Sequence, residues 1–432
     1  MMKEVKNGAL YIDGCNTNKL AKQYGTPLYI MSESAIIERF SELRDSFLNK
    51  YPNVRVAYAS KAFCTLAMCK LCQREGIGID VASGGELYTA MEAGFPPEMI
   101  EFNGNNKLRH EIEMAVDYGI GRIIVDGQKE LSMIEEICRE KGKKMNILFR
   151  ITPGVEANSH EYIITGKVDS KFGMPQDETI IFPQIKKAIN SQYVDFLGLH
   201  FHIGSQIREK EAYLAAIDVM LEYVIKIKET FHYDISELNL GGGFAATYTD
   251  EERKPYSYYL DPAMEKIDSF FAVNGVKRPA VVIEPGRSVV AEAGLSLYTI
   301  GSIKEIKGIR KYLSVDGGMT DNLRPALYNA VYSGVVANRA SEPKTEVVTI
   351  AGKCCESGDI LIKDIKVAEN VEPGDLFAVF TTGAYGYSMA SNYNRNPVPP
   401  VVLVKEGRSE LIVKRQSFMH MISNDMVPEH LK

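Results

Sequence analysis

The sequence has no apolar run of about 18 residues, the length a membrane-spanning helix requires, so no membrane span is expected. Its opening residues, Met1-Met2-Lys3-Glu4-Val5-Lys6, lack the apolar core of a secretion signal. Internal repeats, low-complexity tracts and a charged tail are missing as well. Charge of one sign is scarce. The formal net charge is −6 over 432 residues, which argues against nonspecific nucleic-acid binding. Cysteines are few and odd in number, seven in a long chain, which points to reduced thiols in a cytoplasmic setting. Cys64, Cys69 and Cys72 match the C-x4-C-x2-C spacing of one iron–sulfur pattern. On a predicted helix, however, those offsets scatter the thiols around the axis, and no fourth ligand is in view. They read as small buried residues, and no metal site is expected.

What the chain does have is bulk and a regular alternation. A hydrophobic content of 45% with 25% charged residues is that of a globular protein, and 432 residues are too many for one ordinary core, so two domains are expected. Short apolar runs suited to buried strands occur at 54–59, 77–82, 99–103, 122–126, 146–151, 196–202, 237–241 and 280–284. Helical patterns lie among them, at Thr65–Arg74, Gly85–Glu92, Leu108–Tyr118, Lys129–Lys141, Glu178–Asn190, Lys210–Thr230 and Asp261–Ala272. Eight strands in this rhythm are what a closed (β/α)8 TIM-type barrel requires, although an open doubly wound sheet is the alternative. After Gly294 the alternation stops. Strand-like segments at 295–306, 311–315, 345–351, 360–367, 376–381, 400–405 and 410–414 then follow one another with turns between them. The expected fold is therefore α/β: a barrel over 36–290 plus a second, all-β domain of sandwich or barrel type. That second domain takes residues 291–432 and the N-terminal 1–35, where Ala9–Ile12 and Pro27–Met31 read as strands. Ser32 is a plausible N-cap for a helix running from Glu33 to Asn49.

A barrel carries its chemistry at the carboxyl ends of its strands. Those ends hold Lys61, Asp80, Asn103, Asp126, Arg150, His200, His202, Gly241–Gly243, Glu284 and Arg287. Each has an ordinary reading. A lone lysine usually snorkels to solvent, three glycines make a tight turn, histidines are mostly structural, and Glu284 could pair with Arg287 for stability alone. Taken together they form a kit. An amine can form a Schiff base. The backbone N–H groups of Gly241-Gly242-Gly243 can converge on a phosphate. A histidine ring can stack on a flat ligand, with Ser205 donating to its phosphate. A carboxylate can keep a heteroaromatic nitrogen protonated. The ligand that uses all four is pyridoxal 5′-phosphate.

The same residues resemble a known family. Tyr58-Ala59-Ser60-Lys61-Ala62, Asp80-Val81-Ala82-Ser83, His200-Phe201-His202-Ile203-Gly204-Ser205-Gln206, Gly241-Gly242-Gly243-Phe244, Glu284-Pro285-Gly286-Arg287, Cys355-Glu356-Ser357-Gly358-Asp359 and Gly383-Ala384-Tyr385 follow one another as in the diaminopimelate decarboxylase family. Those are fold-type III pyridoxal-phosphate enzymes related to alanine racemase and ornithine decarboxylase, and the resemblance runs over nearly the whole chain. It implies decarboxylation of meso-2,6-diaminopimelate to L-lysine and CO2, the last step of lysine biosynthesis. Lys61 would be the Schiff-base lysine and His202 would stack on the cofactor ring. Ser205, Gly241, Gly242, Gly243 and the Pro285-Gly286-Arg287 turn, with Tyr385, would hold its phosphate. Glu284 would pair with the pyridine nitrogen and so stabilise the substrate carbanion, which Cys355 would reprotonate. Arg287, Arg324 and Tyr328, with Tyr385, would hold the distal carboxylate of the substrate and Glu356 its distal ammonium. The resemblance further implies a homodimer in which Cys355 and Glu356 reach the partner's site, in the cytoplasm and without nucleic-acid or membrane partners.

Substrate choice also has a physical argument. Ornithine and lysine end in a bare ammonium, whereas diaminopimelate ends in a second amino-acid head. An arginine fork left unpaired on the smaller substrate would discriminate by about 10^4-fold. Competing readings are a decarboxylase of ornithine, lysine or arginine, a racemase, a Schiff-base aldolase on a plain barrel, and a non-catalytic relative that binds a partner. Glu284 speaks against a racemase, since racemases of this fold set an arginine against the pyridine nitrogen. The presence of both Lys61 and Cys355 speaks against a non-catalytic relative.

Overall fold

The computed structural model describes residues 3–155 and 169–432. The chain packs as two compact units. One is formed by Glu38–Ala246 and Arg253–Val289, the other by Met1–Ile37, Thr247–Glu252 and Val290–Lys432. Among the described residues, no helix is long and apolar enough to cross a membrane.

The first unit is a closed barrel of eight parallel strands: Val54–Ala59, Gly78–Val81, Ile100–Phe102, Arg122–Val125, Met145–Arg150, Val194–His200, Glu237–Asn239 and Ala280–Ile283. Neighbours in sequence are neighbours in space, and Val281–Ile283 pairs with Val54–Val56 to close the ring. All eight expected strands are present, and the closure settles barrel against open sheet. Local signals set the helices between them. Thr65 Oγ1 accepts from Met68 N–H at 3.1 Å to start Leu66–Arg74, and Ser83 Oγ accepts from Glu86 N–H at 3.3 Å to start Gly84–Glu92. Gly119 and Gly142, at φ +76° and +60°, end Arg109–Tyr118 and Gln128–Lys141 in the left-handed conformation that glycine adopts without strain. Cys69 and Cys72 are buried on Leu66–Arg74, and all seven cysteines are unpaired. The last helix differs from expectation. It runs Tyr256–Val273 and passes through Pro262, where the sequence pattern suggested a start at Asp261. Its extra first turn is anchored by tertiary bonds, Tyr256 Oη to Ser288 Oγ at 2.8 Å and Tyr259 Oη to Ile207 O at 3.0 Å.

The second unit is a mixed sheet. Ile360–Ala368, Lys344–Ala351, Arg310–Val315, Gly294–Ile306, Leu28–Ser32, Val401–Lys405 and Arg408–Val413 lie side by side, with Leu376–Phe380 and Gly334–Val336 branching from it. Its axis is Gly294–Ile306, 13 residues long. The first half of that strand pairs antiparallel with Leu28–Met31 and with Leu376–Phe380, and the second half with Arg310–Val315. One N-terminal strand thus joins the C-terminal sheet. The other, Ala9–Ile12, pairs instead with Lys3–Lys6 and Cys15–Asn16 in a small sheet of its own. Leu10, Ile12, Leu20, Leu28, Ile30, Leu295, Leu297, Val402 and Val404 fill one core cluster. Ser32 Oγ accepts from Ala35 N–H at 3.2 Å, so Ser32 does cap the following helix, Glu33–Leu43.

Candidate active site

Lys61 leaves the first barrel strand in a short turn, Ser60–Ala62, that is fixed from several sides. The buried Ser60 donates through Oγ to Asp80 O at 2.9 Å and to Glu86 Oε2 at 2.7 Å. Phe63 N–H donates back to Ser60 O at 3.0 Å, and Ala59 N–H donates to Pro285 O at 3.1 Å. The backbone of Lys61 is thereby tied to the second strand and to the turn after the eighth, while its side chain stays exposed. An amine on such a mount is held in place without losing access to a ligand.

Glu284 ends the eighth strand at 5% exposure. Its Oε1 accepts from Asn239 Nδ2 at 2.9 Å and Asn103 Nδ2 at 3.2 Å, and stands 3.0 Å from His200 Nε2. Burial opposes its ionisation, but the adjoining His200 imidazole and a hydrogen bond with Glu101 outweigh it and hold the carboxyl below its ordinary range. Asp80 and Glu101 place carboxylate oxygens within 4.8 Å of one of Glu284 and of each other. They shift the opposite way: burial first, then repulsion from Glu284, pushes both well above the usual carboxylate range.

His202 is half-buried, and its Nδ1 accepts from Gly242 N–H at 3.3 Å. Burial, and then the cations of Lys61 and Arg150, lower its pKa well below the ordinary value, so the ring is neutral. The glycine loop is forced by close approach. A Cβ on Gly241 would stand 2.3 Å from Phe201 O, and one on Gly242 would stand 2.1 Å from Glu284 O. Beside the loop, Arg287 is 5% exposed and donates to Ser205 Oγ through Nε at 3.0 Å and Nη2 at 2.9 Å. The barrel therefore brings together Lys61, His202, Ser205, Gly241–Gly243, Glu284 and the Pro285-Gly286-Arg287 turn. This set fits pyridoxal 5′-phosphate: a bare backbone loop with a hydroxyl and a guanidinium for the phosphate, an amine, a neutral ring and a carboxylate.

The other unit holds the remaining marked residues. Arg324, 6% exposed, begins the helix Arg324–Tyr328 and lays its guanidinium over the Tyr328 ring at 5.0 Å and the Tyr385 ring at 5.5 Å. Those three form one cluster. Tyr385 holds a left-handed backbone, φ +58°, which is uncommon for a bulky residue. Cys355 and Glu356 sit on an exposed turn. The buried Asp359 anchors that turn by accepting from Met319 N–H at 2.7 Å and Cys354 N–H at 2.9 Å.

Several residues around Glu284 escaped the sequence reading. Glu101 lies in the middle of the strand Ile100–Phe102, Arg122 and Glu237 open the strands Arg122–Val125 and Glu237–Asn239, and Asn239 closes the latter. The available signal was a polar residue between apolar ones, as in Ile100-Glu101-Phe102 and Leu238-Asn239-Leu240.

The sequence pattern of the pyridoxal binding domain of pyridoxal-dependent decarboxylases matches residues 33–291, which defines the class of the barrel. Diaminopimelate decarboxylase from Bacillus subtilis is 46% identical over 425 residues, covering 98% of this chain and 97% of its own length. The enzyme of that name from Bacillus methanolicus is 48% identical over 412 residues, 95% of each chain. The crystal structure of diaminopimelate decarboxylase from M. jannaschii in co-complex with L-lysine aligns at a TM-score of 0.93 and 36% identity, covering 100% of this chain and 99% of that one. The chain belongs to the diaminopimelate decarboxylase family, whose cofactor is pyridoxal 5′-phosphate.

Proposed function

We infer that this protein removes CO2 from one end of meso-2,6-diaminopimelate and releases L-lysine. The observation that carries the decarboxylase chemistry is Glu284, a buried carboxylate that accepts from Asn103 and Asn239, stands 3.0 Å from His200 and adjoins the Gly241–Gly243 loop. The near full-length similarity to enzymes named diaminopimelate decarboxylase supports the substrate. Bound pyridoxal 5′-phosphate supplies the electron sink for the negative charge left at the substrate Cα when CO2 departs.

The chain's residues then divide the work. Lys61 offers its amine to the cofactor's aldehyde. Ser205, Arg287 and the N–H groups of Gly241, Gly242 and Gly243 take the phosphate, the Pro285-Gly286 turn shapes that pocket, and Tyr385 adds a hydroxyl. His202 would pack against the cofactor ring, and its lowered pKa would keep a second positive charge away from it. Glu284 holds the proton on the pyridine nitrogen, which deepens the sink. Arg287, Arg324 and Tyr328 take the distal carboxylate and Glu356 the distal ammonium. Cys355 returns a proton to Cα. The two residues of the exposed turn serve the barrel of a second copy, making the working form a homodimer. Seven unpaired cysteines support a reducing compartment, the cytoplasm.

The test is CO2 release from a panel of meso-diaminopimelate, L-lysine, L-ornithine and L-arginine by the purified protein with added cofactor. Turnover is expected on diaminopimelate, with the other three slower by about 10^4-fold in kcat/KM. Turnover of ornithine without turnover of diaminopimelate would sink the assignment.

A further inference from the structure

The barrel interior contains more acid than the proposed chemistry uses. Glu101, on the strand Ile100–Phe102, is 1% exposed and has a carboxylate oxygen within 4.8 Å of one of Glu284. Asn239 Nδ2 bridges the two, 3.3 Å from Glu101 Oε1 and 2.9 Å from Glu284 Oε1. Arg122 Nη1 stands 3.6 Å from Glu101 Oε2, but its Nε is shared with Glu237 at 3.4 Å, and Arg55 is bonded to Glu237 as well. The groups facing Glu101 are thus Glu284, Asp80 and Glu237 against Arg122 and Arg55. Those facing Glu284 are His200, His202 and Arg150 on one side and Asp80 and Glu101 on the other. Three buried carboxyls with oxygens within 4.8 Å of one another cannot all ionise, as like charges at that range in a dry interior repel strongly. A protonated member can instead act as a donor.

We propose that Glu101 is a positioning residue for Glu284: its carboxyl keeps its proton at neutral pH and donates it as a hydrogen bond to the Glu284 carboxylate, fixing the negative charge on the residue that meets the cofactor. The inference rests on the role given above to Glu284. The alternative arrangement, an ionised Glu101 paired with Arg122, leaves Glu284 facing a second buried anion. The upward shift of Glu101 and the downward shift of Glu284 agree with the first arrangement.

Two variants of the holoenzyme test it. Glu101→Gln retains an N–H donor, and Glu101→Leu has none. The infrared spectrum at neutral pH should show a protonated-carboxyl band that is partly lost in Glu101→Gln. The acid limb of the kcat profile should stay in place in Glu101→Gln. In Glu101→Leu it should move up by about one pH unit, with kcat near neutrality and KM little changed. An ionised Glu101 gives the opposite result: no band is lost, and Glu101→Gln moves the acid limb to lower pH because a neighbouring anion has gone. That outcome overturns the proposal, and it is readable even if the leucine variant fails to fold. If Glu284 does not meet the cofactor, the acid limb ignores both variants, while the infrared band still reports where the proton sits.

Discussion

Glu284 and Cys355 are both assigned to proton chemistry, yet their surroundings have little in common. Glu284 is buried on a barrel strand and gripped by side chains from three other strands. Cys355 is exposed on a turn held by its own neighbourhood: Cys355 N–H donates to Asn394 Oδ1 at 2.7 Å and Glu356 N–H to Cys354 O at 2.7 Å. A group that must keep one fixed charge gains from burial, which removes competing water and locks the rotamer. A group that must deliver a proton and be recharged from solvent gains from exposure. Lys61, His202, Ser205, Gly241–Gly243, Glu284 and Arg287 all belong to the barrel unit, whereas Cys355 and Glu356 belong to the other unit.

The sharpest way to break this contrast is at Lys61. Lys61→Ala should reduce turnover by more than about 10^3-fold and abolish the lysine-linked visible absorbance, with the far-ultraviolet circular dichroism unchanged. Retained absorbance would show that another amine anchors the cofactor. A smaller effect is expected at the exposed turn. Cys355→Ala should lower kcat by about 10^2-fold while the cofactor spectrum stays as in the parent protein. Full activity in that variant would remove Cys355 from the proton step, and a lost cofactor spectrum would make it structural.

The smallest effect concerns stability. Asp321 is buried and accepts from Gly318 N–H at 2.7 Å, and burial pushes its pKa up to about 7. In the unfolded chain it titrates near the ordinary value of about 4. From about pH 4 to 7 the unfolded state therefore releases this proton first, so the stability that the group contributes is full below that window and is lost as pH rises through it. Asp321→Asn should flatten the fall of the urea midpoint between about pH 4 and 7. An unchanged slope would mean that the carboxyl is already ionised when folded.

Much of this molecule was legible before its structure. The eight barrel strands stand out because a strand buried on both faces reads as a continuous apolar run bounded by turn residues. Lys61, His202 and Glu284 stand out because they interrupt such runs at their carboxyl ends. The inner charge layer was hidden for a related reason. Glu101 and Asn239 sit inside short runs, where one polar residue looks like an irregular edge, and only ring closure brings strands three and seven face to face. The helix Thr17–Tyr24 and the strand Gly334–Val336 were also missed. Both are short and take their stability from packing rather than from their own pattern. The start at Tyr256 was invisible because tyrosine hydroxyls bonded to distant groups, not local propensity, extend that helix through a proline.

The long strand Gly294–Ile306 has a consequence for how the second unit comes apart. Leu28–Ser32, Leu376–Phe380 and Arg310–Val315 all draw on its backbone, so none of them can open without surrendering bonds to a segment the others also need. Such a shared spine couples the sheet into one cooperative block, with amide exchange along the spine governed by opening of the whole rather than by local fraying. The turn bearing Cys355 and Glu356 is rooted in that block through Asp359, which makes its placement an all-or-none property of the unit.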